Sequence, residues 1–297
     1  MKLSTIVAGV DLSVPSNHAL DRAAALALEH HAKLVMVHAT TDDPAPEHAD
    51  EIVLRQLGEV TAAMRVEITR RLADHLIELR GRGVDVELVS PEGPPGELVA
   101  NVARDRGAQL ICVGTHGTTG ISRLLLGSVA TAILRHATCD VLVCRGDATG
   151  PFRRPLVATD FSPTAARALA HAAALSAPGV PIDLVHAWQL PAGSWGASLL
   201  GQTRFPWSHV RDSVVTAARA KADQLIAAHA ALGRPLHVEL EQGPPATVIA
   251  SAAERAGHDL IALGTHGHRG FRRLLLGSVC ESTIRHAPCS VLVVHAA

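Results

Sequence analysis

Uninterrupted apolar runs recur along the chain, with longer segments of helical spacing between them. In the first half the runs predict strands near 5–10, 33–38, 84–89, 109–113 and 140–144. The intervening segments predict helices over roughly 16–31, 50–81, 95–106 and 127–136. In the second of these, Val60, Met64, Ile68, Leu72, Leu76 and Leu79 form a single stripe at helical spacing. The strand runs do not alternate apolar with polar residues, as expected where both faces of a sheet are covered. Strand–helix alternation with right-handed crossovers then gives an open, parallel, doubly wound α/β sheet.

The pattern occurs twice. STIVAGVDLS at 4–13 matches RPLVATDFSP at 154–163, which sets Asp11 opposite Asp160 and Ser13 opposite Ser162. GPPGELVANVARDRGAQLICVGTHG at 93–117 matches GPPATVIASAAERAGHDLIALGTHG at 243–267, and CDVLVC at 139–144 matches CSVLVV at 289–294. The offset stays between 148 and 150, so the expected organisation is two tandem domains, 1–146 and 151–297, joined by GDATGP at 146–151. Each fifth-strand run is apolar throughout, and an exposed edge of that kind invites aggregation, so pairing of the two fifth strands is expected.

The most specific stretch is GTHGTTGISRLLLGS at 114–128, repeated as GTHGHRGFRRLLLGS at 264–278 with 11 of 15 positions identical. Each copy follows a strand and ends in Gly-Ser at the start of a helix. Glycines permit positive φ and close approach of backbone N–H groups to a ligand. A helix N-terminus adds unpaired donors and the positive end of its dipole. The arrangement suits an anion, preferably a chain of phosphates. Ser128 and Ser278 each add a hydroxyl. His116 and His266 stand in the turns as donors to phosphate or as solvated side chains. Asp11 and Asp160 end first strands, where a carboxylate can accept from ribose or base, or can cap the next helix. Ser13 and Ser162 are the better caps. The second loop carries Arg269, Arg272 and Arg273, which either fork phosphate oxygens or belong to a solvated face.

These residues resemble the universal stress protein family, whose nucleotide-binding pattern is Gly, two residues, Gly, nine residues, then Gly with Ser or Thr. Gly114, Gly117, Gly127 and Ser128 meet it, and so do Gly264, Gly267, Gly277 and Ser278. The resemblance implies two five-stranded parallel sheets in 3-2-1-4-5 order, of the adenine-nucleotide-binding α-hydrolase-like type. It implies one ATP per domain, two per chain, accompanied by Mg²⁺. Asp11 and Asp160 would meet the adenine and ribose, and Val37 and Val185 would border the adenine. Arg269 is the favoured arginine at the phosphates. A nucleotide-dependent stress-response protein read by a regulatory partner is the implied function, and a whole-chain homodimer is compatible with it. A slow ATPase or a nucleotidyl-transfer enzyme is the rival. The chain has no Walker A lysine, no S-G-G-x-D-S loop on the first strand and no H-x-G-H in the first crossover.

Composition narrows the remaining classes. The net charge of −1 gives no reason to expect nucleic acid or an acidic membrane as partner. No apolar run approaches membrane-spanning length and the N-terminus lacks a signal-peptide pattern, so a cytoplasmic location is expected. Cys112, Cys139, Cys144, Cys280 and Cys289 form no C-x-x-C and read as reduced structural thiols. The 18 histidines form no ligand set, so no dedicated metal site is expected. His38 and His186 recur at the ends of second strands.

Overall fold

The computed structural model describes residues 2–41, 51–117, 126–190, 207–265 and 276–295. The chain divides into two compact units, Lys2–Gly150 and Pro151–Ala297. In the first, the order is β1 Thr5–Gly9, α1 Val14–His30, β2 Lys33–Val37, α2 Glu51–Gly81, β3 Val86–Val89, α3 Pro95–Asp105, β4 Leu110–Gly114, α4 Ser128–His136 and β5 Asp140–Cys144. In the second it is β6 Pro155–Ala158, α5 Pro163–Leu175, β7 Ile182–Trp188, α6 Trp207–Ala228, a 3₁₀ turn at Ala230–Leu232, β8 Leu236–Gln242, α7 Pro245–Ala256, β9 Leu260–Gly264, α8 Ser278–His286 and β10 Ser290–Val294.

Within the first unit the strands lie in the order β3-β2-β1-β4-β5, and within the second β8-β7-β6-β9-β10. Both are the expected 3-2-1-4-5 order, and every strand pair within a unit is parallel. Ile6, Val7 and Ala8 of β1 pair with Leu110, Ile111 and Cys112 of β4, and all six are fully buried. Two glycines show how the faces are covered. A Cβ on Gly9 would meet Val99 and Ile133, whereas one on Gly114 would meet Pro15 and Ser16. The register puts these two positions on opposite faces. Hence α1 covers one face near β4, and α3 with α4 the other.

The structure corrects two readings of the pattern. The edge strand β8, LHVELEQ, alternates between half-buried and exposed residues through most of its length. Its Glu239 and Glu241 both pair with Arg255. On β3, Glu87 pairs with Lys33 and Arg106. Charged edge strands discourage further pairing, so the continuous apolar runs do not extend to β3 and β8. The second correction concerns α2. Leu72 and Leu79 are buried, but Val60 is 56% exposed and Met64 60% exposed. A helix of 31 residues is roughly 46 Å long and outruns the short strands, so only its C-terminal part has a sheet beneath it.

Candidate functional site

The strand order makes β1 and β4 neighbours, as it does β6 and β9. α1 and α5 then fold away to one side of the sheet, and a crevice opens beyond the strand ends, the usual ligand position in such sheets. In the first unit this crevice is a cleft of about 320 Å³ lined by Asp11, Val37, His38, Gly114, His116, Gly117, Gly127 and Ser128, among others. In the second, Asp160, Val185, His186, Gly264, Gly277 and Ser278 line the corresponding cleft. His266, Gly267, Arg269, Arg272 and Arg273 lie outside the described residues, as do residues 191–206 with Trp195.

The aspartates sit in a strained turn. Leu12 has φ 64° and Phe161 φ 63°, a region that costs a non-glycine residue about 1–2 kcal/mol. The turn is held by local hydrogen bonds. Ser13 N–H donates to Asp11 Oδ1 at 3.0 Å, Ser16 N–H to Ser13 Oγ at 3.3 Å, and Asp11 N–H to Ser16 Oγ at 3.0 Å. The second unit repeats the first two of these, from Ser162 N–H to Asp160 Oδ1 and from Ala165 N–H to Ser162 Oγ. Ala165 has no hydroxyl to take the part of Ser16. There Thr159 Oγ1 adds a bond at a different point of the turn, accepting from Phe161 N–H. The serines therefore cap the helices, as expected, and each aspartate holds the turn with Oδ1. Asp11 directs its other oxygen, Oδ2, toward Gly117.

Among the described residues, Gly114, Gly117 and Gly127 act through close approach, and none of the motif glycines has positive φ. Gly127 and Gly277 have φ near −61° and −62°, and Gly114 is not among the residues with positive φ. This corrects the conformational reading of the loop. A Cβ on Gly117 would stand 2.6 Å from Asp11 Oδ2, and one on Gly114 would stand 2.7–3.0 Å from the backbone of Pro15 and Ser16. Gly127 N–H donates to Thr115 O at 2.8 Å, and Gly277 N–H to Thr265 O at 3.0 Å. These bonds fold the turn back onto the start of α4 or α8. Neither helix has a side-chain cap, so its first-turn N–H groups are open to a ligand in the cleft. His116 is less free than its sequence suggested, because its Nδ1 lies 2.8 Å from Thr115 Oγ1.

Sequence reasoning gave no role to the histidines of the second strands, which it placed at the strand ends; His38 lies just past β2 and His186 lies within β7. His38 Nδ1 donates to Val10 O at 2.8 Å, and His186 Nδ1 donates to Thr159 O at the same distance. Their recurrence at one position in both halves was the available signal. Ala39 and Ala187 also line the clefts and were not singled out.

Cys280 lines the second cleft and is buried. Burial pushes its thiol up, hydrogen bonding to Cys144 and burial raise Cys112 well above the ordinary range, and burial beside Asp140 pushes Cys139 up to about 12. A raised thiol stays neutral until the pH climbs past its shifted value, so these cysteines are poor nucleophiles. Cys144 and Cys289 are buried. At about pH 8 a thiol-specific disulfide reagent should find no fast-reacting cysteine in the folded chain and all five after unfolding. A rapid native reaction would show that one of these sites opens. Among the described residues no group of three or more His, Cys, Asp or Glu is arranged to hold a metal ion, and no helix is long and apolar enough to cross a membrane.

Fold and cleft together define a duplicated doubly wound α/β protein with a crevice beyond the strand ends in each copy. The chain belongs to the universal stress protein family, which matches it at residues 2–145 and again at 151–295. A universal stress protein of Mycolicibacterium smegmatis is 29% identical over 97% of this chain and 96% of its own length. Universal stress protein A homolog 1 of Coxiella burnetii is 33% identical over 48% of this chain and 96% of its own. Among solved structures, a universal stress protein from Archaeoglobus fulgidus aligns with TM-score 0.63 at 21% identity, covering 99% of both chains. A Pseudomonas aeruginosa protein of unknown function aligns with TM-score 0.68 at 17% identity, covering 99% of this chain and 92% of its own. At those identities the two structures speak for the fold.

Proposed function

We propose that this universal stress protein binds ATP, one molecule in each unit, and that occupancy is read by a regulatory partner in a stress response. The observation that carries the reading is the pairing, across each crevice, of an aspartate turn with an uncapped helix start. Asp11 stands at the end of β1, beside β2, while α4 begins beyond β4 on the other side. The ends of β2 and β4 are separated by two strand spacings, roughly 10 Å. A ligand bridging them needs hydroxyls or amino groups at one end and negative charge at the other. A nucleoside polyphosphate has that polarity. Val37, Ala39, Pro95 and Val99 give the Asp11 end an apolar wall for a base, and Val185, Ala187, Pro245 and Ile249 do so in the second unit.

The residues present fit that ligand. Asp11 and Asp160 would accept from the ribose or base. Ser128 and Ser278, with the N–H groups of their helix starts, would donate to phosphate. Gly117 would leave the approach open, and Gly267 is proposed to do the same. Mg²⁺ would accompany the phosphates and neutralise part of their charge. Arg269, if it forks a phosphate, would make the second site the tighter one at low salt.

The test is ATP titration of Asp11→Asn and Asp160→Asn. Asparagine keeps the Oδ1 acceptor that holds the turn but loses the charge facing the ligand. Each substitution should weaken its own site by roughly 1–3 kcal/mol with the unfolding transition unchanged. Wild-type chain that binds no ATP by calorimetry would overturn the proposal.

A further inference from the structure

The part of α2 that has no sheet beneath it carries an ordered apolar line. Val53, Leu57, Val60 and Met64 follow one another at intervals of four, three and four, which sets them along one side of the helix. They are 39%, 42%, 56% and 60% exposed, so each keeps a large share of its surface in water. The charged residues within this stretch, Arg55 and Glu59, turn toward the opposite side and lie 4.0 Å from each other. Charge re-enters the line at Glu67, which is tied with Arg70 and Asp74 in an ion network. Ile52, Val66 and Ile77 are exposed as well, but they lie around the helix from this line and stand singly, which calls for no partner. In the second unit α6 is the counterpart of α2, and its described residues include no exposed large apolar side chain. The line is therefore peculiar to the first copy of the fold.

Spacing and lack of charge decide what fits such a face. The intervals four, three, four read the same from either end. A second α2 laid antiparallel sets Val53 against Met64 and Leu57 against Val60, and twofold symmetry repeats both contacts. Gln56 and Ala63 on one flank bring no charge to the seam, nor does Thr61 on the other. A membrane-binding helix carries Lys and Arg along its polar face, whereas here acidic and basic residues are joined in ion pairs. We propose that α2 is a self-association surface, on which a second copy of the chain seats its own α2 antiparallel. With no such face on the described part of α6, the contact closes at two chains and does not extend into a filament. Two faces roughly 20–25 Å long bury on the order of 800–1,000 Å² together, short of the roughly 1,200–2,000 Å² of a stable pair. The dimer is therefore reversible, half-formed at roughly tens to hundreds of micromolar chain. It stands whether or not the clefts take a nucleotide.

Sedimentation equilibrium of the full chain, without nucleotide, is the test. The average mass should rise from 31.1 kDa toward twice that value as the chain is concentrated from about 1 μM to about 1 mM. Leu57→Glu and Val60→Arg each set a charge against an apolar neighbour, and each should weaken association roughly tenfold or more. An equal mixture of the two variant chains brings the acidic side chain of one against the basic side chain of the other at the centre of the seam. The mixture should regain most of the lost affinity. Val66→Glu, on another side of the helix, should leave association unchanged. All three positions are exposed, and unfolding midpoints measured at low concentration check that each variant keeps its fold.

A wild-type chain that stays monomeric to about 1 mM overturns the proposal and leaves the face to a partner of another kind. Dimerisation that persists unchanged in both charged variants overturns it as well, because the contact then lies elsewhere. Loss in each variant without recovery in the mixture rejects the antiparallel pairing. An average mass that climbs past two chains rejects the closed pair. An effect of Val66→Glu as large as that of Val60→Arg rejects the assignment to this side of the helix.

Discussion

Calorimetric titration of the Gly117→Asp chain should give about one ATP per chain where the wild type gives about two. The first carbon of the new side chain would lie 2.6 Å from Asp11 Oδ2, closer than packed atoms tolerate. Its carboxylate would then sit beside a second one and in the path proposed for the phosphates. Two like charges about 4 Å apart at a protein surface repel by up to about 4 kcal/mol, and displacement of the turn adds to this. A loss of more than a hundredfold at the first site follows from those magnitudes. The second site, left intact, can then be titrated alone at low and high salt, where a steep salt slope would implicate Arg269. Two sites of unchanged affinity in the variant would place the ligand elsewhere.

Gly114→Ala should produce a clear loss of stability. The added Cβ would meet the carbonyl carbon and oxygen of Pro15 at 2.7 and 2.8 Å and Ser16 N at 3.0 Å. These are backbone atoms at the start of α1, held by the Ser13 cap, and no rotamer change relieves the overlap. Overpacking of this kind costs about 1–3 kcal/mol. It should appear as a lower urea midpoint, with weakened ligand binding because α1 carries the aspartate turn with it. Gly9→Ala is the control. Its Cβ would meet Val99 at an ordinary 3.5 Å, and Ala158 already occupies the matching place in the second unit. A midpoint shift as large for Gly9→Ala as for Gly114→Ala would refute the steric account.

What the sequence discloses follows from the range of the interactions involved. Inner strands such as β4, with Leu110, Ile111, Cys112 and Val113 all buried, are legible because covering both faces leaves no polar position. The serine caps are legible because capping links residues three apart. Gly114 is marked by the motif, but its reason is contact with α1, almost a hundred residues earlier, and no local pattern carries that. The positive φ of Leu12 and Phe161 is hidden for a related cause. Neither residue favours that conformation, and it is imposed by hydrogen bonds on either side. His38 shows a further limit. Its repetition is visible, but the ring nitrogen that carries hydrogen is decided by a carbonyl on the neighbouring strand. The stripe on α2 misled because periodicity reports a face and not what stands opposite it.

Duplication has left the chain with its own mutational comparison. Where the first copy has Ser16 and Leu12 the second has Ala165 and Phe161, yet both turns keep the same backbone path. A side chain that reaches out can be exchanged, and in the second copy Thr159 supplies a hydroxyl at another point of the turn, to Phe161 N–H. A position pressed against main chain has no such freedom, and Gly114 remains glycine at Gly264. Each aspartate turn is thus a shared backbone path with exchangeable side-chain fittings. Under the proposed nucleotide reading, one copy can drift in ligand preference while the other keeps its own, and a single chain can come to sense two related molecules.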